Sequence, residues 1–243
     1  MKHTFSMILV ALLVVACSFA LVGCSSDISS EEEWNKIFDA YNTSDKITLK
    51  IEDNDYTVTE RIVSTTEISY DGEKGEVFIT HETTTKNIVG LSKFGKSHYE
   101  YYYVIKGTSV LSYDRYVGKY SQDWETPRVY EFDTVEEAQD YLRNLYLHPV
   151  APVGEGGEYP NLSNLTYENY NHANSKKLGM FGKITWEITQ DNVEYTHTLN
   201  LSSGKISKYT YEYKDSLYTR KTTTTVKYKA NISAPTDLPA VEN

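Results

Sequence analysis

From Ile184 to Ile232 the chain reads as alternation with period two, and that pattern restricts the fold more than any other feature. Ile184, Trp186 and Ile188 alternate with Thr185, Glu187 and Thr189, and Val193, Tyr195, His197, Leu199 and Leu201 alternate with polar residues. Successive side chains of a strand point to opposite faces, so this is the signature of strands with one covered face. Asp191-Asn192 and Ser202-Ser203-Gly204 supply the turns. Tyr209, Tyr211 and Tyr213 share a face of the next strand, and Asp215-Ser216 leads into a last strand from about Leu217 to Ile232. Together these predict a four-stranded antiparallel meander.

Earlier in the chain the same period recurs. Ile47, Leu49 and Ile51 form a strand, Asp53-Asn54-Asp55 reads as a turn, and Tyr56 to Val63 returns. Further strands are expected around 75–81, 98–106, 109–116 and 128–132, with 87–97 a loop.

Two segments switch to period 3.6. Ser30-Glu31-Glu32-Glu33 is a capping box, followed by Trp34, Ile37, Phe38 and Tyr41 at i, i+3, i+4 and i+7. Thr134 and its acidic neighbours open a second helix with the stripe Val135, Ala138, Leu142 and Leu145, ended by Pro149. Pro152 to Pro160 reads as a hinge. The expected fold class is α+β: a long curved antiparallel sheet, half-barrel-like, with two amphipathic helices packed on one face.

The first 24 residues bear on location. Between Thr4 and Gly23 there is no charged residue, and the run ends Leu21-Val22-Gly23-Cys24. A short basic start and an apolar core ending in small residues have the form of an export signal. The last four residues resemble the bacterial lipobox. That resemblance implies cleavage before Cys24, a diacylglyceryl group on its sulfur, and an extracytoplasmic protein held to the membrane by acyl chains, palmitate among them. The organisation expected is a signal peptide over 1–23, a lipidated Cys24 and polar tether over 24–30, and one α+β domain over 31–243. Cys17 would leave with the signal, so no disulfide or thiol chemistry is expected.

A net charge of −10 argues against nucleic acid as a partner, since an acidic chain repels a phosphate backbone. His81, His98, His148, His172 and His197 form no HxH, HExxH or HxxxH pair, so no metal is expected. Neither a nucleophile elbow nor a phosphate-binding glycine loop is present, and no cofactor or enzymatic activity is expected. His197 falls on the apolar face of its strand and reads as a hydrogen-bonded core histidine.

The helix–meander–helix–meander plan, with Ser69-Tyr70-Asp71-Gly72 and Tyr113-Asp114, resembles the LolA and LppX-type lipoprotein half-barrels. That resemblance implies an apolar cavity between sheet and helices that holds a lipid or other apolar ligand. Trp34, Ile37, Phe38 and Tyr41 are then the candidate ligand-binding residues. The alternative is an envelope protein–protein interaction module that uses a Tyr-rich sheet face. Tyr99, Tyr101 and Tyr103 share a face, as do Tyr209, Tyr211 and Tyr213. Tyr is also a strong strand former beside Thr, and that plain reading is preferred for these rows.

Overall fold

The computed structural model describes residues 28–87, 95–118, 122–149, 161–190 and 193–241. Cys24 and the expected export signal, 152–160 hinge and Asp191-Asn192 turn lie outside the described residues.

Among the described residues, eleven strands form one continuous sheet. They are β1 (Lys46–Thr57), β2 (Glu60–Asp71), β3 (Glu76–Asn87), β4 (Gly95–Lys106), β5 (Ser109–Tyr116), β6 (Arg128–Glu131), β7 (Ser175–Gly179), β8 (Lys183–Gln190), β9 (Val193–Ser202), β10 (Lys205–Lys214) and β11 (Tyr218–Lys227). The order is β6-β5-β4-β3-β2-β1-β11-β10-β9-β8-β7. All pairs are antiparallel, from Ser112↔Arg128 at one edge to Lys177↔Thr185 at the other. The sheet is curved and open. Its first and last long strands meet in the middle, where Leu49 faces Val226 and Asp53 faces Thr222. Two meanders, each preceded by a helix, thus fuse into one α+β sheet.

Helix α1 (Glu31–Asn42) begins at Ser30, whose side chain accepts from the Glu33 amide. The Glu33 carboxylate reaches back to the Ser29 amide at 2.8 Å, one residue beyond the reciprocal partner the capping box predicts. In α2 (Val135–Leu147), Thr134 caps the Glu137 amide and the Glu137 carboxylate accepts from Asp133. A third helix, α3 (Tyr167–Asn171), is too short to show a period in the sequence. Both long helices pack on one side of the sheet, hereafter the helix face: α1 over β10, α2 over β2 to β5. They meet at Tyr41 and Tyr146, where each hydroxyl donates to the other residue's carbonyl, at 3.2 and 3.3 Å.

Ile47, Leu49, Ile68, Tyr70, Val77, Leu199, Tyr209 and Val226 make the sheet side of the main core. A second, smaller core lies on the back face. Phe78, Tyr102, Val104, Leu111 and Tyr113 are covered there by Trp124 and by Ile232 and Leu238 of the C-terminal tail. Asp237 pins that tail, accepting from Trp124 Nε1 at 3.2 Å and Arg115 Nη1 at 3.3 Å.

Several local expectations are corrected. Asp53-Asn54-Asp55 is not a turn: β1 runs straight through it to Thr57, and the chain reverses at Val58-Thr59. The return strand is therefore Glu60–Asp71 instead of 56–63. Charged residues suggested a turn because their partners lie on β11, some 167 residues away in sequence and invisible to a local reading. Strand β3 continues past His81 to Asn87, and β4 begins at Gly95, inside the expected loop. The last meander has five strands, since β7 adds an edge, and its final strand stops at Lys227 because Ile232 leaves the sheet for the back-face core.

Candidate functional site

The four helix residues are placed in the interior. Trp34, Phe38 and Tyr41 are 2, 5 and 1% exposed, and Ile37 is half-buried against the same core. The Trp34 ring stacks on Tyr170 at 5.1 Å and meets the edge of Trp186 at 5.6 Å. This stripe closes the main core.

Beyond the helices, toward the Val58 and Leu217 turns, the same sheet face changes character. The strand parity that places Ile47, Leu49 and Ile51 on the helix face continues with Asp53 and Asp55. On β11, Val226 and Thr224 are followed by Thr222, Arg220 and Tyr218. Asp53 is 3% exposed. It accepts from Arg220 Nη2 at 2.7 Å, from Arg220 Nε at 3.1 Å and from the Thr222 hydroxyl at 2.6 Å. Such a bidentate, hydrogen-bonded pair is the form in which a buried carboxylate is tolerated. Asp55 stands 3.4 Å from the same Nε. Burial opposes the Arg220 charge, but the hydrogen bonds it donates to Asp53 and the charges of the two carboxylates outweigh it and hold the guanidinium above its usual range. Burial, then the neighbouring Asp53 charge, pushes the Asp55 carboxyl up. With one cation against two carboxylates, a ligand approaching here meets excess negative charge.

A lane of rings runs beside this cluster. Trp186 stacks on His197 with centroids 4.9 Å apart, and His197 meets Tyr211 at 5.3 Å. Tyr195 meets Tyr213, and Tyr213 meets Tyr218, each at 5.4 Å. Tyr209 belongs to the core: it is fully buried and its hydroxyl lies 2.9 Å from His197 Nδ1. The other four tyrosines, 195, 211, 213 and 218, are half-buried. Burial pushes the His197 ring down to about 4, so it is neutral at ordinary pH. His81 likewise is depressed, by burial first and then by His98, and its two nitrogens are held by the hydroxyls of Thr66 and Thr83 at 2.9 and 2.8 Å. On the other half of the sheet Tyr99 is exposed and Tyr101 and Tyr103 are half-buried on the same face.

Motif reading does not find the charge cluster, because Asp53-Asn54-Asp55 reads locally as a turn. Extending the period-two alternation of Ile47, Leu49 and Ile51 by two steps would have found both carboxylates. Among the described residues no three His, Cys, Asp or Glu side chains converge on a metal-sized site, and no helix is long and apolar enough to cross a membrane.

The fold and this face define a class: an α+β protein with an open antiparallel sheet, its helix face half apolar and covered, half polar and ring-lined. No family model matches the chain, and no curated protein matches it significantly.

Proposed function

We propose that this chain is a non-enzymatic, extracytoplasmic lipoprotein, anchored through Cys24, that binds another envelope protein through the tyrosine lane of its helix face. The observation that carries the reading is the half-buried set Tyr195, Tyr211, Tyr213 and Tyr218 beside the Asp53–Arg220–Asp55 cluster. Tyrosine offers large rigid contact area with a hydroxyl that tolerates water, which suits a surface that is wet when free and dry when bound. The titratable groups nearby are committed to one another: Arg220 to two carboxylates, His197 to Tyr209, His81 to two threonines. Arg220, His197 and His81 are each held in ion pairs or hydrogen bonds of the fold, which gives them a structural role. An acyl-chain site between helix and sheet would require the closed Trp34–Phe38–Tyr41 stripe to open, so packing favours the surface over the enclosed cavity.

The test is affinity capture with the full-length lipoprotein from solubilised envelopes. A protein retained by the parent and lost in Y195S/Y213S, with melting temperature unchanged, supports the surface reading. Capture indifferent to those substitutions overturns it. Native mass spectrometry of the same sample reads the cavity: a removable lipid-sized mass beyond the N-terminal modification would favour an acyl ligand.

A further inference from the structure

The turn Met180–Gly182 joins β7 to β8 and carries two consecutive left-handed residues, Phe181 (φ 62) and Gly182 (φ 72). Glycine is required at the second position: a Cβ there would stand 3.1 Å from the Leu201 Cβ, so the tip sits tightly against β9. Phe181 is different. A bulky side chain rarely adopts a positive φ, and the strain persists only where something repays it. The left-handed pair closes the β7–β8 hairpin, but Asn or Gly would do so with less strain, and the ring that stands there packs on nothing, the residue being 92% exposed. Leu178, across the hairpin, is exposed as well.

The charges carried by the hairpin itself are of one sign. The stretch from Ser175 to Lys183 contains Lys176, Lys177 and Lys183 and no Asp or Glu, in a chain whose net charge is −10. On the back face Lys183 pairs with Asn200, which also pairs with Lys208, so two exposed lysines stand in one cross-strand row. The nearest acid along β8, Glu187, accepts from the Ser175 hydroxyl at 2.9 Å. The acidic first turn of α1 packs on the opposite face. An exposed aromatic flanked by lysines fits the boundary between lipid headgroups and acyl chains.

Position agrees with this. Trp34 in the first turn of α1 packs against Trp186 of β8, the strand that carries the tip. Ile28 packs on the main core, and Cys24 is four residues before it, a span of at most about 14 Å.

We propose that the β7–β8 tip is a second membrane contact, inserting Phe181 and Leu178 into the headgroup boundary of an anionic bilayer while Lys177, Lys183 and Lys208 meet the lipid phosphates. This rests on the anchoring reading above. With the acyl chains it makes a two-point attachment, which fixes the sheet's orientation and turns the tyrosine lane away from the bilayer.

The test uses the full-length lipoprotein reconstituted into phosphatidylcholine vesicles with and without phosphatidylglycerol, carrying a fluorescent reporter as F181W or, at the opposite end of the sheet, L217W. The native Trp34, Trp124 and Trp186 are buried and give a constant background. F181W is expected to shift to the blue and to be quenched roughly twofold or more by brominated lipid, with L217W unchanged. K177E/K183E/K208E should remove the dependence on phosphatidylglycerol, and raised salt should weaken it. Vesicle flotation reads the anchor separately. Flotation with F181W as unquenched as L217W overturns the tip contact and leaves the anchor standing. Without flotation the anchor reading fails, and quenching by phosphatidylglycerol vesicles added to the soluble chain still decides the tip. Protection of F181W in native membranes but not in protein-free vesicles overturns lipid in favour of a protein partner.

Discussion

Ile51 and Asp53 are successive residues on one face of β1, yet they belong to different regimes. Below Ile51, whose cross-strand neighbours are Thr66 and Thr224, the helix face is apolar, and α1 and α2 lie over it. From Asp53 upward the face is charged, hydroxylated and ring-lined, and the burial there is supplied by neighbouring strands. Thr222 and Asp53 are nearly as inaccessible as Ile47 and Leu49. Burial alone therefore does not dictate apolar chemistry. What differs is how each half is satisfied: the lower by dispersion and area removed from water, the upper chiefly by the hydrogen bonds and ion pairs gathered around Asp53. A sheet longer than its helices can be continued in this second way.

That contrast is broken most directly at Arg220. In R220M, Asp53 keeps the Thr222 hydroxyl but loses its cation, and a buried carboxylate without one costs about 3–5 kcal/mol. The melting temperature should fall by about 10 °C or more. Replacing both partners, as D53L/R220M, should recover most of the loss, since an apolar pair carries no desolvation penalty. Thermal melts of the two variants decide it. A loss below about 1 kcal/mol in R220M would mean the cluster behaves as a wet surface pair, and the two halves would no longer differ in kind.

The pH dependence of stability sharpens the comparison next. Burial holds His197 at about 4, below the ordinary value it takes when unfolded. The unfolded chain thus binds the proton first, and stability present above about pH 6.5 is lost as pH falls toward 4, by on the order of 3 kcal/mol. His81 acts in the same direction. Asp55, whose carboxyl is pushed up, acts in the opposite one. The readout is consequently a difference: denaturant titrations of H197Q should show a flatter limb between pH 6.5 and 4 than the parent. Parallel limbs would place the His197 ring in contact with water.

The covered half offers a smaller effect. Y146F removes the hydroxyl that donates to the Tyr41 and Ser44 carbonyls and joins α2 to α1. Each such bond contributes about 1 kcal/mol net, so a loss of about 1–2 kcal/mol is expected, without change in the pH limb. A loss below about 0.5 kcal/mol would mean that ring packing alone holds the two helices together.

These two halves were not equally legible. The lower half, with its class, its caps and the stripe of α1, follows from the alternation of Ile47-Leu49-Ile51 and the spacing of Trp34-Ile37-Phe38-Tyr41, because apolar periodicity is a local signal. In α2 the stripe holds at Ala138 and Leu142, but Val135 is exposed and Tyr146 is the buried residue of the last turn. The upper half depends on pairings across 167 residues, Arg220 to Asp53, which no window contains. A charged Asp-Asn-Asp run looks like a turn until its partners are known. The short edge strand β7 and helix α3 escaped for a different reason, being too brief to display a period. Period-two spacing places Tyr209, Tyr211 and Tyr213 on one face, but only the structure separates the core ring from the two half-buried ones.

The β7–β8 tip follows neither rule, and its effect on stability should be correspondingly small. Phe181 is neither packed like the rings of the lower half nor hydrogen-bonded like those of the upper, and it sits at φ 62. Replacing it should therefore release strain at no cost in contacts. Asparagine tolerates the left-handed region, so F181N is expected to stabilise the isolated protein by up to about 1 kcal/mol. Gly182→Ala, at φ 72 against Leu201, should destabilise it by about the same amount or more. Equilibrium unfolding in the absence of vesicles measures both. A destabilised F181N would mean the ring is held by the fold after all, and the strain at this turn would then need no partner outside the chain.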